Sequence, residues 1–370
     1  MRYRTLGERT LPVSELGLGC SALGGGLFGP DNRDALGLVH RCLDAGVNFF
    51  DTSDTYSLGN SEKILGAAIR GRRTRVVIAT KGGGTWSRLD RALLHSRPLL
   101  RPFRKALGGA RRSIKLAHAR RKGYNYSPGH LVRAVEASLR RLGTDYIDVY
   151  QLYNPTVREL VRFESSEVLD RLKGQGKILH YGITVYGLDD AFAALRHPSI
   201  ETIQLSLSLV DQSACAEFLG QARAHNVRVI AASPLGEGLL TSTVGLTKAD
   251  ESSHHTADQL ASRKVLAAAA AKWVRPDRTL AQTALRFVLA LEDVAVAIPS
   301  AVTRAQLDEN LATLETPPLT ETELAEMRAL TQNVQLDAPP NSSEAFPTAG
   351  SSAAHAVGAQ IQATGSLTLR

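Results

Sequence analysis

Residues 48–56 read Asn48-Phe49-Phe50-Asp51-Thr52-Ser53-Asp54-Thr55-Tyr56. An apolar run ends in a carboxylate, and a tyrosine follows five residues later. Downstream, Arg75-Val76-Val77-Ile78-Ala79-Thr80 has the composition of a strand and ends in Lys81. A lysine at the end of a buried strand costs several kcal/mol to desolvate unless it is paired. Asp51 can be that partner. An ammonium near a tyrosine favours the phenolate, so Lys81 is expected to lower the Tyr56 phenol pKa and make it a better proton donor. Asp51, Tyr56 and Lys81 then read as one general-acid device. The plainer alternative is a strand-end ion pair beside an exposed tyrosine. Three such residues at the ends of successive apolar strands favour chemistry.

Outward from this stretch, strand and helix patterns alternate. A hairpin is expected from Tyr3–Leu6 and Leu11–Glu15 around Gly7–Thr10. Strands are expected at 16–20, 47–52, 75–81, 146–152, 178–185, 202–207, 227–232 and 294–298. The helices between them are expected at 34–45, 61–69 (with Ser61 as cap), 131–142, 158–172, 189–195, 216–225, 264–273, 280–289 and 304–313. Ser127-Pro128 reads as a cap and first-turn proline ahead of the third of these. One more helix is expected at 320–330, and a polar loop over 236–262. Eight strand–helix pairs imply parallel βαβ units and an α/β fold, a (β/α)8 TIM barrel with an N-terminal β-hairpin. A doubly wound sheet is the main competitor, but no GxGxxG opens a helix after the first strand.

The 370 residues divide into a barrel over 1–335 and a low-complexity tail over 336–370, rich in Ala, Ser, Pro, Gly and Thr. The net charge of +8 is local. Residues 91–130 carry eleven Lys and Arg and no acid, so without them the remainder stands at −3. The basicity belongs to an inserted loop after the third barrel strand, over 91–126. Three readings of that loop stay open: a solvated segment, a site for an anionic substrate, or polyanion binding. Sparse aromatics before Tyr124 and Tyr126 argue against single-stranded nucleic acid. The three cysteines, Cys20, Cys42 and Cys215, lack metal or disulfide spacing. No apolar run is long enough to span a bilayer, and Met1-Arg2-Tyr3-Arg4 does not open a secretory signal. A cytoplasmic protein without a metal site is the expectation.

The sequence resembles the aldo-keto reductases over residues 1 to about 333. The resemblance rests on Gly-Leu-Gly at 17–19, Phe-Asp-Thr-Ser-Asp-Thr-Tyr at 50–56, Ala-Thr-Lys at 79–81 and Asp-Val-Tyr-Gln-Leu at 148–152. It continues through Gly-Lys-Ile at 176–178, Tyr-Gly-Ile-Thr at 181–184, Ser-Pro-Leu-Gly-Glu-Gly-Leu-Leu at 233–240, Ile-Pro-Ser at 298–300 and Glu-Asn at 309–310. It implies hydride transfer from NADPH to a small-molecule carbonyl, with Tyr56 giving the proton and Lys81 and Asp51 tuning it. It also implies that Thr184 and Gln204 hold the nicotinamide carboxamide. Ser233, Leu235 and Gly236 would lie along the pyrophosphate. Ser300, Thr303, Arg304, Gln306, Glu309 and Asn310 would hold the adenosine end, with Arg304 replacing the cations that relatives use for the 2′-phosphate.

The chain departs from the family at Tyr153, where a histidine is usual in the run Gln151-Leu152-Tyr153-Asn154-Pro155. Three readings stay open: a carbonyl reductase with a reshaped pocket, a reductase of a conjugated C=C bond, or a cofactor-binding sensor with little turnover. Val185, Ala232 and the lack of an obvious stacking aromatic around residues 204–207 suggest a looser nicotinamide pocket. The basic loop and unusual pocket would suit a specialised biosynthetic step. Sequence alone does not name the substrate.

Overall fold

The computed structural model describes residues 1–6, 11–24, 31–85, 123–161, 164–241 and 255–331. Eight parallel strands form one sheet: β3 (Leu18–Gly19), β4 (Phe49–Asp51), β5 (Val77–Gly82), β8 (Ile147–Tyr153), β9 (Ile178–Thr184), β10 (Thr202–Ser206), β11 (Arg228–Ala232) and β12 (Val294–Ala297). The two ends of this sheet meet. Leu16 bridges Ala297, and the Gly17 and Gly19 amides donate to Ala297 and Pro299 carbonyls at 2.8 and 2.9 Å. The sheet is therefore closed, and helices follow its strands in the (β/α)8 order. A hairpin of β1 (Tyr3–Leu6) and β2 (Leu11–Ser14) covers the N-terminal end.

Strand periodicity sorts the apolar residues into two cores. Phe49, Val77, Ala79, Val149 and Ile230 fill the barrel interior against Leu6 and Val13 of the hairpin. Their neighbours Phe50, Ile78, Tyr150 and Ile183 face the helices. The same parity puts Asp51, Lys81 and Tyr153 on the inward face at the C-terminal strand ends, and Gln204 inward in the middle of β10. A one-residue slip would turn all of them outward.

Several local expectations change. Ser61 does not cap its helix, which starts at Asn60 after Gly59. Its hydroxyl donates instead to the Cys20 carbonyl at 2.8 Å. Ser127 precedes the Pro128–Leu142 helix, but its hydroxyl bonds Asn125. The helix expected from 264 begins at Ala257, because Thr256 and Gln259 form a capping box. The expected loop over 236–262 is correspondingly shorter. The helix expected over 158–172 is described as two segments, Val157–Val161 and Glu164–Gly174. The inserted loop is described only at its ends, where Gly84–Thr85 (β6) pairs antiparallel with Gly123–Tyr124 (β7). The tail over 336–370 and residues 91–122 of the loop lie outside the described residues. Among the described residues, no helix is long and apolar enough to cross a membrane.

Candidate active site

Asp51, Lys81 and Tyr56 meet at the C-terminal mouth of the barrel. The Lys81 ammonium donates to Asp51 Oδ1 at 2.5 Å and to the Thr52 carbonyl at 2.9 Å. It lies 3.5 Å from the Tyr56 hydroxyl. Lys81 is 1% and Asp51 2% exposed, so neither charge is satisfied by water. The pair is the condition for keeping either one inside.

The loop that carries Tyr56 is strained. Ser57 and Leu58 have φ of 53° and 56°, directly before Gly59 at 77°. Left-handed non-glycine residues in succession are costly and persist where the surroundings enforce them. Here they bring a chain leaving strand β4 back so that the phenol of Tyr56 faces Lys81.

The expected lowering of the Tyr56 pKa is not what the site produces. Burial pushes the phenol well above its ordinary value, and the Asp51 carboxylate, Tyr153 and Cys20 act in the same direction. The physical reason is that Lys81 is neutralised by Asp51, so desolvation wins. Tyr56 therefore holds its proton at neutral pH. A raised phenol pKa keeps the donor form present below that value and loses it only as pH rises through it. The kcat/KM for a carbonyl substrate should therefore be flat through neutrality, with its alkaline limb above about 10, the ordinary phenol value. A deprotonation limb near neutral pH would contradict this assignment.

Tyr153 occupies the last position of β8, and its hydroxyl lies 2.8 Å from that of Tyr186. Tyr126 donates to the carbonyls of Tyr153 and Asn154 at 2.7 and 3.0 Å. Tyr124 stacks between Tyr126 and Tyr153, at 6.1 and 6.3 Å between ring centroids. Sequence reading missed Tyr186 and gave Tyr124 and Tyr126 no role in the site. One signal lay in Lys81-Gly82-Gly83-Gly84. A Cβ on Gly83 would stand 2.5 Å from the Tyr126 ring, and one on Gly82 would overlap the Tyr150 hydroxyl. These glycines make room for tyrosines.

The residues assigned to a nicotinamide fall along one side of the mouth. Gln204 is buried, and its Oε1 has no hydrogen-bond partner among the described residues. An orphaned buried amide oxygen fits a carboxamide NH2 donor. Ser208 Oγ, which sequence reading did not select, is orphaned in the same way just beyond the strand. Thr184 ends β9 beside Gln204. Val185 contributes only its amide, which donates to the Gln204 carbonyl at 2.9 Å.

Ser233 (φ 49°), Leu235 and Gly236 (φ 57°) form a tight turn after β11, closed by the Gly236 amide on the Ser233 carbonyl at 2.8 Å. A Cβ at Gly236 would press on Val210 at 2.8 Å.

The remaining residues gather around the start of the Arg304–Ala312 helix. Thr303 caps it by accepting from the Gln306 amide, and the Gln306 side chain accepts from the Val302 amide at 2.9 Å. Glu309 accepts from Thr279 at 2.7 Å, and Asn310 is buried. Ser300 lies 3.4 Å from Ser21, close against Gly19, where a Cβ would come within 2.7 Å. Arg304 and Arg41 both bond Asp308, at 2.7 and 2.8 Å. No group of three or more His, Cys, Asp or Glu that could hold a metal occurs among the described residues.

A closed (β/α)8 barrel with a buried Lys–Asp pair beside a tyrosine presents a general-acid site at the barrel mouth. The model of the aldo/keto reductase family matches residues 15–332. An uncharacterized oxidoreductase of Bacillus subtilis, YqkF, is 31% identical over 336 residues, covering 90% of this chain and 97% of that protein. An Escherichia coli protein named NADH-specific methylglyoxal reductase is 30% identical, over 85% of this chain and 94% of its own. The solved holo form of the aldo-keto reductase AKR11C1 from Bacillus halodurans superposes with a TM-score of 0.70 at 29% identity, over 89% of this chain and 96% of that one. The chain belongs to the aldo/keto reductase family, and it is a nicotinamide-dependent oxidoreductase.

Proposed function

We propose that the protein reduces the carbonyl of a small aldehyde or ketone to the alcohol, with NADPH as hydride source. The observation that carries this reading is the Tyr56 hydroxyl 3.5 Å from a buried Lys81 that is itself held by Asp51. The bound cofactor supplies the hydride to the carbonyl carbon. Tyr56 delivers its proton to the carbonyl oxygen, and the phenolate left behind is stabilised by the Lys81 ammonium. Tyr153, close enough to act electrostatically on Tyr56, would orient the substrate oxygen as a hydrogen-bond donor. Thr184 and Gln204 would hold the nicotinamide, and backbone groups of the turn over Ser233–Gly236 would bind the pyrophosphate.

Arg304 supports NADPH. Two arginines share the single carboxylate of Asp308, so the cluster is net positive where an adenosine phosphate would lie.

Reduced-cofactor oxidation with 4-nitrobenzaldehyde tests the proposal. NADPH should give the higher kcat/KM, and Arg304→Ala should cut the NADPH:NADH ratio by about tenfold, the loss of one charge-assisted contact. Equal use of both cofactors, unchanged in Arg304→Ala, overturns the NADPH assignment. Turnover of a matched enone at C=C, with no alcohol formed, overturns carbonyl reduction.

A further inference from the structure

Tyr56 and Lys81 stand 3.5 Å apart but sit on different elements, a strained loop and the strand β5. One side chain joins the two. Glu62, in the first turn of the Asn60–Ala68 helix that follows the Tyr56 loop, is 0% exposed. Its Oε1 accepts from the Thr80 hydroxyl at 2.6 Å, and its Oε2 accepts from Arg141 Nε at 2.6 Å. Thr80 is the residue before Lys81, and strand alternation turns it toward the helices while Lys81 turns inward. Arg141 lies in the last turn of the Pro128–Leu142 helix and also donates to Ser138 Oγ at 3.0 Å. Its guanidinium fills the space beside Gly59, where a Cβ would come within 2.4 Å of Nε. Gly59 closes the left-handed run Ser57-Leu58-Gly59 that turns Tyr56 toward Lys81. The two helices meet closely, since a Cβ on Gly66 would stand 2.4 Å from the Leu142 carbonyl oxygen. Ser61 and Asn60 anchor the same loop to the carbonyls of Cys20 and Gly24. Glu62 anchors it to the strand that bears Lys81.

We propose that Glu62 and Arg141 are positioning residues that fix the separation of Tyr56 from Lys81 and so set the rate of proton transfer. The inference rests on Tyr56 as the proton donor of the carbonyl-reductase reading above. A buried carboxylate needs a partner wherever it lies, so pairing alone would be a matter of stability. The placement of this one goes further. Oε1 holds the backbone beside the ammonium, and Oε2 holds the guanidinium that braces the turn beside the phenol. Left-handed non-glycine residues in succession relax unless their surroundings enforce them, and Arg141 is the brace at the end of that run. With the pair broken, relaxation of the turn carries the phenol away from Lys81. Proton transfer is steep in distance, since a misplacement of about 1 Å can cost about a hundredfold. The side of the mouth assigned to the cofactor, at Gln204 and Ser233–Gly236, is built on other strands.

A double-mutant cycle tests this in the full-length protein, with NADPH and saturating 4-nitrobenzaldehyde and with active sites counted by NADPH fluorescence titration. Glu62→Gln keeps the shape of the side chain and an oxygen for Thr80, but removes the charge that holds Arg141. We expect kcat to fall by about 10–100-fold, with KM and the NADPH Kd unchanged. In a Tyr56→Phe background the same substitution should change the residual kcat by less than about twofold, because it acts through a hydroxyl that is no longer there. Arg141→Lys keeps a cation but loses the planar guanidinium against Gly59. It should show the same pattern with a smaller loss, and it reads the network if Glu62→Gln does not fold. Equal losses in the two backgrounds, or wild-type kcat in either variant, overturn the positioning role and leave the carbonyl-reductase reading standing. Wild-type kcat in Tyr56→Phe overturns the proton-donor reading and this inference together.

Discussion

Tyr56→Phe is expected to lower kcat by about 10²–10⁴-fold, the range of a lost general acid. The ring stays in the same packed position, and only the hydroxyl 3.5 Å from Lys81 is removed. Affinity for the reduced nicotinamide should be unchanged, because Tyr56 is separate from the Gln204 and Ser233–Gly236 side of the mouth. Steady-state rates and cofactor titration by fluorescence measure the two quantities independently. Retention of wild-type kcat in this variant would falsify the proton-donor role. The hydroxyl of Tyr153 would then be the next candidate, because its Tyr186 contact leaves it in the same cluster.

The second large effect is on stability. Asp51→Ala leaves the Lys81 ammonium buried, with the Thr52 carbonyl as its main remaining partner. Breaking one half of a buried pair costs about 3–5 kcal/mol. Denaturant unfolding should show that loss, and activity should fall with it. The double variant Asp51→Ala/Lys81→Met should recover much of the stability, because no unpaired charge remains, while staying inactive. This separation of fold from function is the informative outcome. A double variant as unstable as the single one would mean that the pair also holds the mouth together mechanically. The buried Glu62, bonded to Thr80 and Arg141 next to this site, then becomes the place to look.

The site has a consistent physical design. Parity on the strands sends charged and amide side chains to one end of a barrel whose interior is otherwise aliphatic. Asp51 and Lys81 neutralise each other, so Tyr56 keeps its proton at neutral pH. Under the proposed mechanism the raised phenol is a resting-state property, and the ammonium would act when the phenolate forms. The departure at Tyr153 fits the same scheme. The phenol there is embedded among other phenols, its hydroxyl 2.8 Å from that of Tyr186 and its ring stacked on Tyr124.

The strand–helix order, the closure into a barrel and the positions of Asp51, Lys81, Tyr153 and Thr184 at strand ends were all readable from the chain. These features depend on period-2 and period-3.6 patterns and on the cost of a charge at the end of an apolar run, which are local in sequence. The helix starts were misjudged, at 61 for Asn60 and at 264 for Ala257, because caps depend on which hydroxyl finds a backbone amide. Ser61 found the Cys20 carbonyl instead. The direction of the Tyr56 shift was beyond sequence, since it depends on the balance between burial and a neutralised neighbour. The tyrosine cluster was beyond it as well. Tyr124, Tyr153 and Tyr186 are separated by tens of residues, and the pairing of β8 with β9 and the β6–β7 ribbon bring two strand ends and one ribbon together. Stacking and phenol pairing act at that distance and leave no periodic trace in the chain.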